Sequence, residues 1–383
     1  MGVFLIPTSL CEEMERMMNL FYWGSKKNGR RDINWMRWGK LTLHKSLGGF
    51  GFCNMEAFNL LMLGKQGWKL MHDSNSLLTR TLKAKYFPRR DFLEAPLGHN
   101  PSYTWRSLWS TQSLLTLGHR WKIGDGSKIN MWSMPWIRDL PSCKPLTPPP
   151  PQYGDVTVNS LMNFDMNFWN SMLLHSLLSA TDAAAVLSIP PYPHRREDIR
   201  IWKATNDGHY SVKSAYRVCI DLFHSSTTHN ANNSWMTLWN LQVPHRVRPF
   251  LWRLAHQCLP THTNLITRGI HCDDSCVTCD ALAETHMHTF FVCSKAITCW
   301  DLLGLGNLVH ELLQTADDFT ALLFEFLRRL SLTQQQSAAM LLWSLWKSRN
   351  FKLWDALDTS SAFTVSRARD TLQEWSCMQR AKK

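Results

Sequence analysis

No stretch of this 383-residue sequence holds the ~20 consecutive apolar residues that a membrane-spanning helix needs. The first residues lack a charged segment running into an apolar core, which predicts a chain that is not secreted. Signatures of several common chemistries are missing too. There is no Gly-x-Ser-x-Gly elbow for a nucleophilic serine and no His-Glu-x-x-His pair for a metalloprotease. Leu47-Gly48-Gly49-Phe50-Gly51-Phe52 is rich in glycine, yet it has neither the Lys-Ser/Thr of a phosphate-binding loop nor the third glycine of a dinucleotide fingerprint. It reads instead as a turn that lets backbone pass close to neighbouring structure. No repeat at a fixed period is visible. Acidic residues are in short supply: 30 Asp and Glu face 42 Lys and Arg, a net charge of +12. Such a surplus suits a polyanionic partner, and it also serves plain solubility.

Apolar residues make up 44% of the chain, which excludes wholesale disorder, and 19 tryptophans supply large rings that are usually buried. Basic residues cluster. Lys26, Lys27, Arg30, Arg31, Arg37 and Lys40 surround the single acid Asp32 and interleave with Trp35 and Trp38. Cations beside aromatic rings suit phosphate contact with base stacking, and equally a solvated face next to a core. Arg246, Arg248 and Arg253 lie near His245, His256 and His262, and this second group fits phosphate contact or an ordinary helix surface. Eleven cysteines include seven between Cys219 and Cys299. With no export signal, a reducing intracellular setting follows, nucleus or cytoplasm, and clustered thiols there read as metal ligands before disulfides.

The pattern predicts a mainly α chain with small β-hairpins, an α+β fold. Residues 1–90 are mainly helical, with helical spacing over Glu12–Trp23 and Ala57–His72. Residues 91–140 are tryptophan-rich and read as holding a hairpin, Trp121–Ile123 and Lys128–Trp132 flanking the turn Gly124-Asp125-Gly126-Ser127. Six prolines from Pro141 to Pro151 predict a stiff linker over 141–155. Residues 155–190 read as helical, Ile199–Lys203 and His209–Val212 as a second hairpin about Asn206-Asp207-Gly208, and Ser211 as the N-cap of a helix over Val212–Phe223. Trp235–Cys258 reads as helices broken near Pro244, and Ala338–Leu357 as an amphipathic helix among C-terminal helices spanning 306–383.

The sharpest signal is a constellation of metal donors. Cys276-Val277-Thr278-Cys279 sets two thiolates three positions apart, a spacing that presents both sulfurs to one ion. His288 and Cys293 complete a Cys3His set, closed and tetrahedral, which predicts one structural Zn2+ with no position for a catalytic water. His286 competes for the third place. In a regular helix it would lie ~10.5 Å of rise from Cys293, against about 7.5 Å for His288, so His288 is the expected ligand. Cys272 and Cys299 read as packing residues.

These residues resemble the zinc-binding domain found downstream of plant LINE-type (non-LTR) reverse transcriptases. The resemblance rests on Cys276-x2-Cys279, Glu284-Thr285, His288, Phe290-Phe291-x-Cys293 and Trp300. Upstream it takes in Ile201-Trp202, Asp207-Gly208, Tyr210–Tyr216, Trp239, Pro244, Phe250–Arg253 and Leu259-Pro260-Thr261. Leu47–Gly51 with Asn59, Tyr103–Arg106 and Trp121–Gly126 are similar to the segment that follows the polymerase palm, so the likeness covers most of residues 1–305. It implies a thumb-like region over 1–90 and a zinc-binding domain over 156–305. Thr289 stands where an apolar residue is common. The family's Asp-Asp turn and ribonuclease H carboxylates are not visible. Asp273-Asp274 and Asp317-Asp318 read as caps or loops. The resemblance therefore implies a non-catalytic remnant that grips RNA or DNA, with no small-molecule substrate and no membrane partner. A zinc-stabilised protein-interaction module, or a decayed relic without a selected role, is the alternative, and the sequence names no protein partner.

Overall fold

Short polar side chains decide where many of the helices start. The computed structural model describes residues 2–24, 33–163, 168–190, 197–224, 235–281, 283–316 and 318–381. The first helices are α1 (Thr8–Trp23), α2 (Trp38–Leu41), α3 (Met55–His72), α4 (Leu77–Tyr86), α5 (Tyr103–Trp109) and α6 (Gln112–Gly118). Then come α7 (Ser171–Leu177), α8 (Ala180–Leu187), α9 (Val212–His224), α10 (Trp235–Asn240), α11 (Val247–Ala255) and α12 (His262–Thr267). The last are α13 (Ser294–Leu303), α14 (Gly306–Thr315), α15 (Phe319–Arg329), α16 (Leu332–Asp355) and α17 (Ser361–Arg380). Strands β1 (His119–Lys122) and β4 (Ile199–Trp202) form one antiparallel pair, and β2 (Met162–Asn163) and β3 (Phe168–Trp169) another. The mainly α fold with small β pairs is the one the sequence predicts. Asn54 caps α3 through the Ala57 amide, Ser211 caps α9 through the Ser214 amide, and Ser331 and Gln334 close a capping box on α16. Each such cap stabilises its helix by about 1 kcal/mol.

The chain divides into two units, residues 1–14 with 53–227 and residues 15–52 with 228–383. The first unit has two apolar cores. One gathers α3, α5, α6 and α9 around the fully buried Trp105 and Trp202. The other collects Trp121, Ile129, Met131, Trp136, Val158 and Trp169 with the inner faces of α7 and α8. Its indoles find carbonyl acceptors, Trp136 on Met131 at 2.8 Å and Trp169 on Ile189 at 2.7 Å. Buried Asn59 fastens the N-terminal segment, accepting from the Ile6 amide and donating to the Phe4 carbonyl.

Strand pairing differs from the expected hairpins. Residues 119–122 do not pair with 128–132; β1 pairs with β4, Trp121 opposite Arg200. The cause is Asp198, a buried carboxylate that accepts the amides of Gly124 at 2.6 Å, Gly126 at 2.9 Å and Lys128 at 3.0 Å. Those amides wrap around Asp198 instead of forming a local ladder, and the turn at 124–127 becomes the cradle of an anion. Residues 129–131 bond instead to 156–158. The second expected hairpin is reduced to one closing backbone bond, Trp202 N–H to Gly208 C=O at 2.8 Å; residues 209–212 form no strand, and β4 pairs with β1. Among the described residues between 155 and 190 only α7 and α8 are α-helical; Val158–Leu161 is a single tight turn leading into β2.

In the second unit one apolar core joins α10, α11 and α13 to α17. The glycine-rich turn is built into its edge. Gly48 adopts a left-handed φ of 81°, and its carbonyl accepts both the Trp252 indole at 2.9 Å and the His256 ring at 2.7 Å. Burial holds the His256 pKa below its ordinary value, which keeps the ring neutral while it donates. A Cβ on Gly49 would sit 1.9 Å from the Leu43 carbonyl oxygen, so the turn closes only because no side chain is there. Gly49→Ala is expected to destabilise the second unit by about 3 kcal/mol, since backbone must move to admit the methyl group. Gly39→Ala, where a Cβ meets nothing within 4 Å, is the control. Urea unfolding followed by tryptophan fluorescence checks this: equal midpoints for the two variants would refute it.

Candidate metal centre

Two short pieces of chain deliver the donors. The first is the turn at Cys276–Cys279. The Cys276 amide donates to the Ala281 carbonyl at 2.8 Å and the Glu284 amide to Asp274 at 2.9 Å, so the turn is pinched shut at its base. Asp280 and Ala283 take left-handed φ values of 59° and 65° to make the bend. The Thr278 amide points at the Cys276 sulfur, 3.4 Å away.

The second piece is a wide helical turn. Residues His288–Val292 form a π-turn closed by the Cys293 amide on the His288 carbonyl at 2.7 Å. On an α-helix two residues five apart face about 140° away from one another. The i→i+5 closure widens the turn and brings His288 and Cys293 to the same side. Thr285 starts this turn, its hydroxyl accepting the His288 amide at 3.1 Å. Thr289 lies buried with its hydroxyl donated to the Thr285 carbonyl, which explains how a polar residue stands at that apolar place. The Trp300 indole donates to the Phe290 carbonyl at 2.8 Å, and Phe291 stacks on Trp300 at 5.8 Å, so the turn is fixed from below by α13.

The donor atoms of Cys276, Cys279, His288 and Cys293 all lie within 4.8 Å of one another, with Cys279 Sγ 3.2 Å from His288 Nε2. Donors 2.0–2.3 Å from a tetrahedral centre stand roughly 3.3–3.8 Å apart, so the cluster is suitable for one zinc ion. The thiols interact strongly. The Cys293 thiol donates to Cys276 and, despite burial, holds its pKa well below the ordinary thiol value, the Thr278 and Cys279 amides adding to the effect. Cys293 is pushed up in turn, first by that shared proton and then by burial. Cys293 is also the N-cap of α13, where helix amides favour a negative sulfur. Three thiolates and Zn2+ carry one net negative charge. Lys352, bonded to the Thr278 carbonyl at 3.0 Å, brings a cation to the same turn.

His286 takes no part. It is buried against Phe319 at a ring distance of 5.6 Å, its Nε2 has no partner, and burial lowers its pKa to about 4. Cys299 is fully buried in the apolar core, and the Cys272 sulfur lies near the His262 carbonyl at 3.8 Å. Asp273 accepts from Ser275, Asp274 accepts from the Thr263 hydroxyl, and Asp318 caps α15. Asp317 lies outside the described residues, as do Lys26, Lys27, Arg30 and Arg31. The three arginines near α11 go to different partners. Arg246 lies over the Trp343 ring at 4.7 Å, and Arg248 donates to the Leu241 carbonyl at 2.9 Å. Arg253 packs over Tyr22 and Trp23, its Nε buried without an acceptor.

The residue that sequence reasoning missed is Arg349 on α16. Its guanidinium grips Glu284 in two bonds, Nε to Oε1 at 3.0 Å and Nη2 to Oε2 at 2.7 Å, with both side chains buried. Glu284 Oε2 also accepts the His262 amide at 2.8 Å. A signal existed: Ser344, Ser348 and Arg349 interrupt the buried face of α16, where a polar group needs a buried partner. Arg349→Met is expected to cost about 4 kcal/mol, because Glu284 stays buried without a counter-charge. Pairing it with Glu284→Leu should restore most of that loss, and a thermal melt of the single and double variants decides. Equal losses in both would show that the pair does not act as a unit.

Comparison with known proteins agrees with this chemistry. A family model described as zinc-binding in reverse transcriptase matches residues 210–300. A protein of Arabidopsis thaliana provisionally named as a ribonuclease H protein is 26% identical over 308 residues, covering 78% of this chain and 48% of its own length. The chain thus spans about half the length of that relative. An uncharacterized mitochondrial protein of Arabidopsis thaliana is 37% identical over 147 residues, covering 38% of this chain and 95% of its own. The matched segment contains the pinched turn, the π-turn and the four converging donors, and the chain belongs to the zinc-binding reverse-transcriptase family of plant retrotransposons.

Proposed function

We propose that the chain is a non-catalytic, nucleic-acid-binding region of a LINE-type reverse transcriptase, organised by one structural zinc on Cys276, Cys279, His288 and Cys293. The observation that carries the reading is the donor chemistry. Three thiolates and one imidazole fill a tetrahedral shell, leaving no open position at which the metal activates water. When bound, the ion supplies cross-linking: it ties the pinched turn to the π-turn and so to the N-terminus of α13. The described acids near the centre are engaged as turn partners and caps, which fits a structural role. The net charge of +12 supports a polyanionic partner. The relative named for ribonuclease H supports a setting in which nucleic acid is the substrate of a longer protein.

Metal analysis of the purified chain is expected to give one equivalent of zinc. Cys276→Ser should lose it and unfold the second unit, because metal affinity at such a site is folding energy, roughly 10–16 kcal/mol in small zinc peptides. A Cys276→Ser protein that keeps stoichiometric zinc would defeat the ligand assignment.

The binding role has its own test. In an electrophoretic assay at ~150 mM salt, the chain is expected to retain single-stranded RNA or duplex DNA better than a charge-matched control protein, with affinity falling steeply as salt rises. Binding no better than the control, or flat against salt, removes it. Primer extension with Mg2+ addresses the non-catalytic part, and any nucleotide incorporation overturns it.

A further inference from the structure

In the first unit, β1 and β4 carry two arginines with opposite surroundings. Arg200 on β4 is paired, its guanidinium 2.6 Å from Asp91 and 4.7 Å above the Trp121 ring. Arg120 on β1, in register with Ile201, is also partly buried, yet its guanidinium has no hydrogen bond, ion pair or ring contact among the described residues. Burial disfavours its charge and the nearby Arg138 adds to that, while Cys143 and the Asp139 carboxylate offset part of it. A half-buried cation without a direct ionic or hydrogen-bonding partner is costly to fold around, and a bound anion relieves the cost.

A cleft is there to hold one. Arg120, Arg138 and Lys203, with Thr205 and Asn206, line an open cavity of about 620 Å³. Arg138 is set at its rim by a tight loop, in which the amides of Trp136 and Ile137 both donate to the Cys143 carbonyl, at 2.6 and 2.9 Å. Asp139, beside Arg138 in sequence, turns to the Ser188 hydroxyl at 3.2 Å. Lys203 and Arg138 make no ion pair among the described residues. Three cations therefore converge on one cavity whose wall includes no carboxylate.

We propose that this cleft is a phosphate site that takes a phosphodiester group of nucleic acid, with Arg120 and Lys203 as its contacts and Arg138 at its mouth. It rests on the nucleic-acid reading given under Proposed function and gives that reading a second, zinc-independent place of contact. Guanidinium forks match phosphate oxygens in two bonds, and such contacts position a strand without reading its sequence.

The test uses the full chain and a fluorescein-labelled 30-nucleotide RNA, with binding followed by anisotropy from 50 to 300 mM KCl. Arg120→Gln with Lys203→Gln is expected to weaken binding about tenfold at low salt and to flatten the salt slope by about 1.4, the amount for two lost single-strand phosphate contacts. Lys83→Gln with Lys213→Gln removes the same charge from exposed helix positions and should change affinity less than twofold. Arg120→Lys should keep the slope, and circular dichroism confirms that each variant is folded. Unchanged affinity and slope in the first variant, or an equal loss in the control, overturns the site. If the wild-type chain binds no RNA, the nucleic-acid reading falls. The cleft is then judged by pyrophosphate: protection of the wild type against heat that the first variant loses supports a phosphate site, and no protection overturns it.

Discussion

One hydrogen bond spanning five residues, from the Cys293 amide to the His288 carbonyl, sets the geometry on which the second unit turns. A regular helix there would send the imidazole and the last sulfur to different faces. The widened turn lets them share a point in space, and the surrounding sequence is arranged to hold that turn. Thr285 receives the His288 amide, the Trp300 indole binds the Phe290 carbonyl, and Phe291, Phe326 and Trp300 pack together as a triangle of rings. The Phe-Phe-x-Cys run is thus two things at once, a core-filling pair and a device for aiming a ligand.

Several polar groups carried into the interior are answered individually, while His286 Nε2 and Arg253 Nε are not. Asp198 is met by three amides, Asn59 by two backbone groups, Glu284 by a guanidinium and an amide, and the Gly48 carbonyl by an indole and an imidazole. Each replaces the water lost on burial, and each joins segments distant in sequence. Trp105, Trp136, Trp169, Trp252 and Trp300 do the same work in larger pieces, filling the cores with their rings while their N–H groups donate to carbonyls.

Much of this was legible in the residues. Helical spacing located α3 and α16, Ser211 marked the start of α9, and His288, preferred over His286 for its shorter rise to Cys293, is the imidazole that lies with the three sulfurs, though by way of a π-turn. The glycine-rich turn was read correctly as a close approach of backbone, which Gly49 against Leu43 shows. The strand partners were not legible. A hairpin is a local inference, and here the decisive group, Asp198, lies seventy or more residues from the amides it binds. Arg349 was hidden for the same reason: its partner Glu284 is sixty-five positions upstream, and a helical pattern gives no hint of which buried acid a helix meets. The π-turn was missed because its hydrogen bond differs by one residue from the regular one, a choice made by packing beneath it.

The grip of α16 on the knuckle also redraws the borders of the zinc module. The family match ends at residue 300, yet two cations that complete the module, Arg349 and Lys352, sit on a helix that begins at Leu332. A fragment cut at the end of the match would keep all four donors but lose Arg349, Lys352 and the helices that bury Glu284. The smallest self-sufficient folding body is therefore longer than the sequence signature, and its C-terminal helices are as much a part of the metal site as the cysteines.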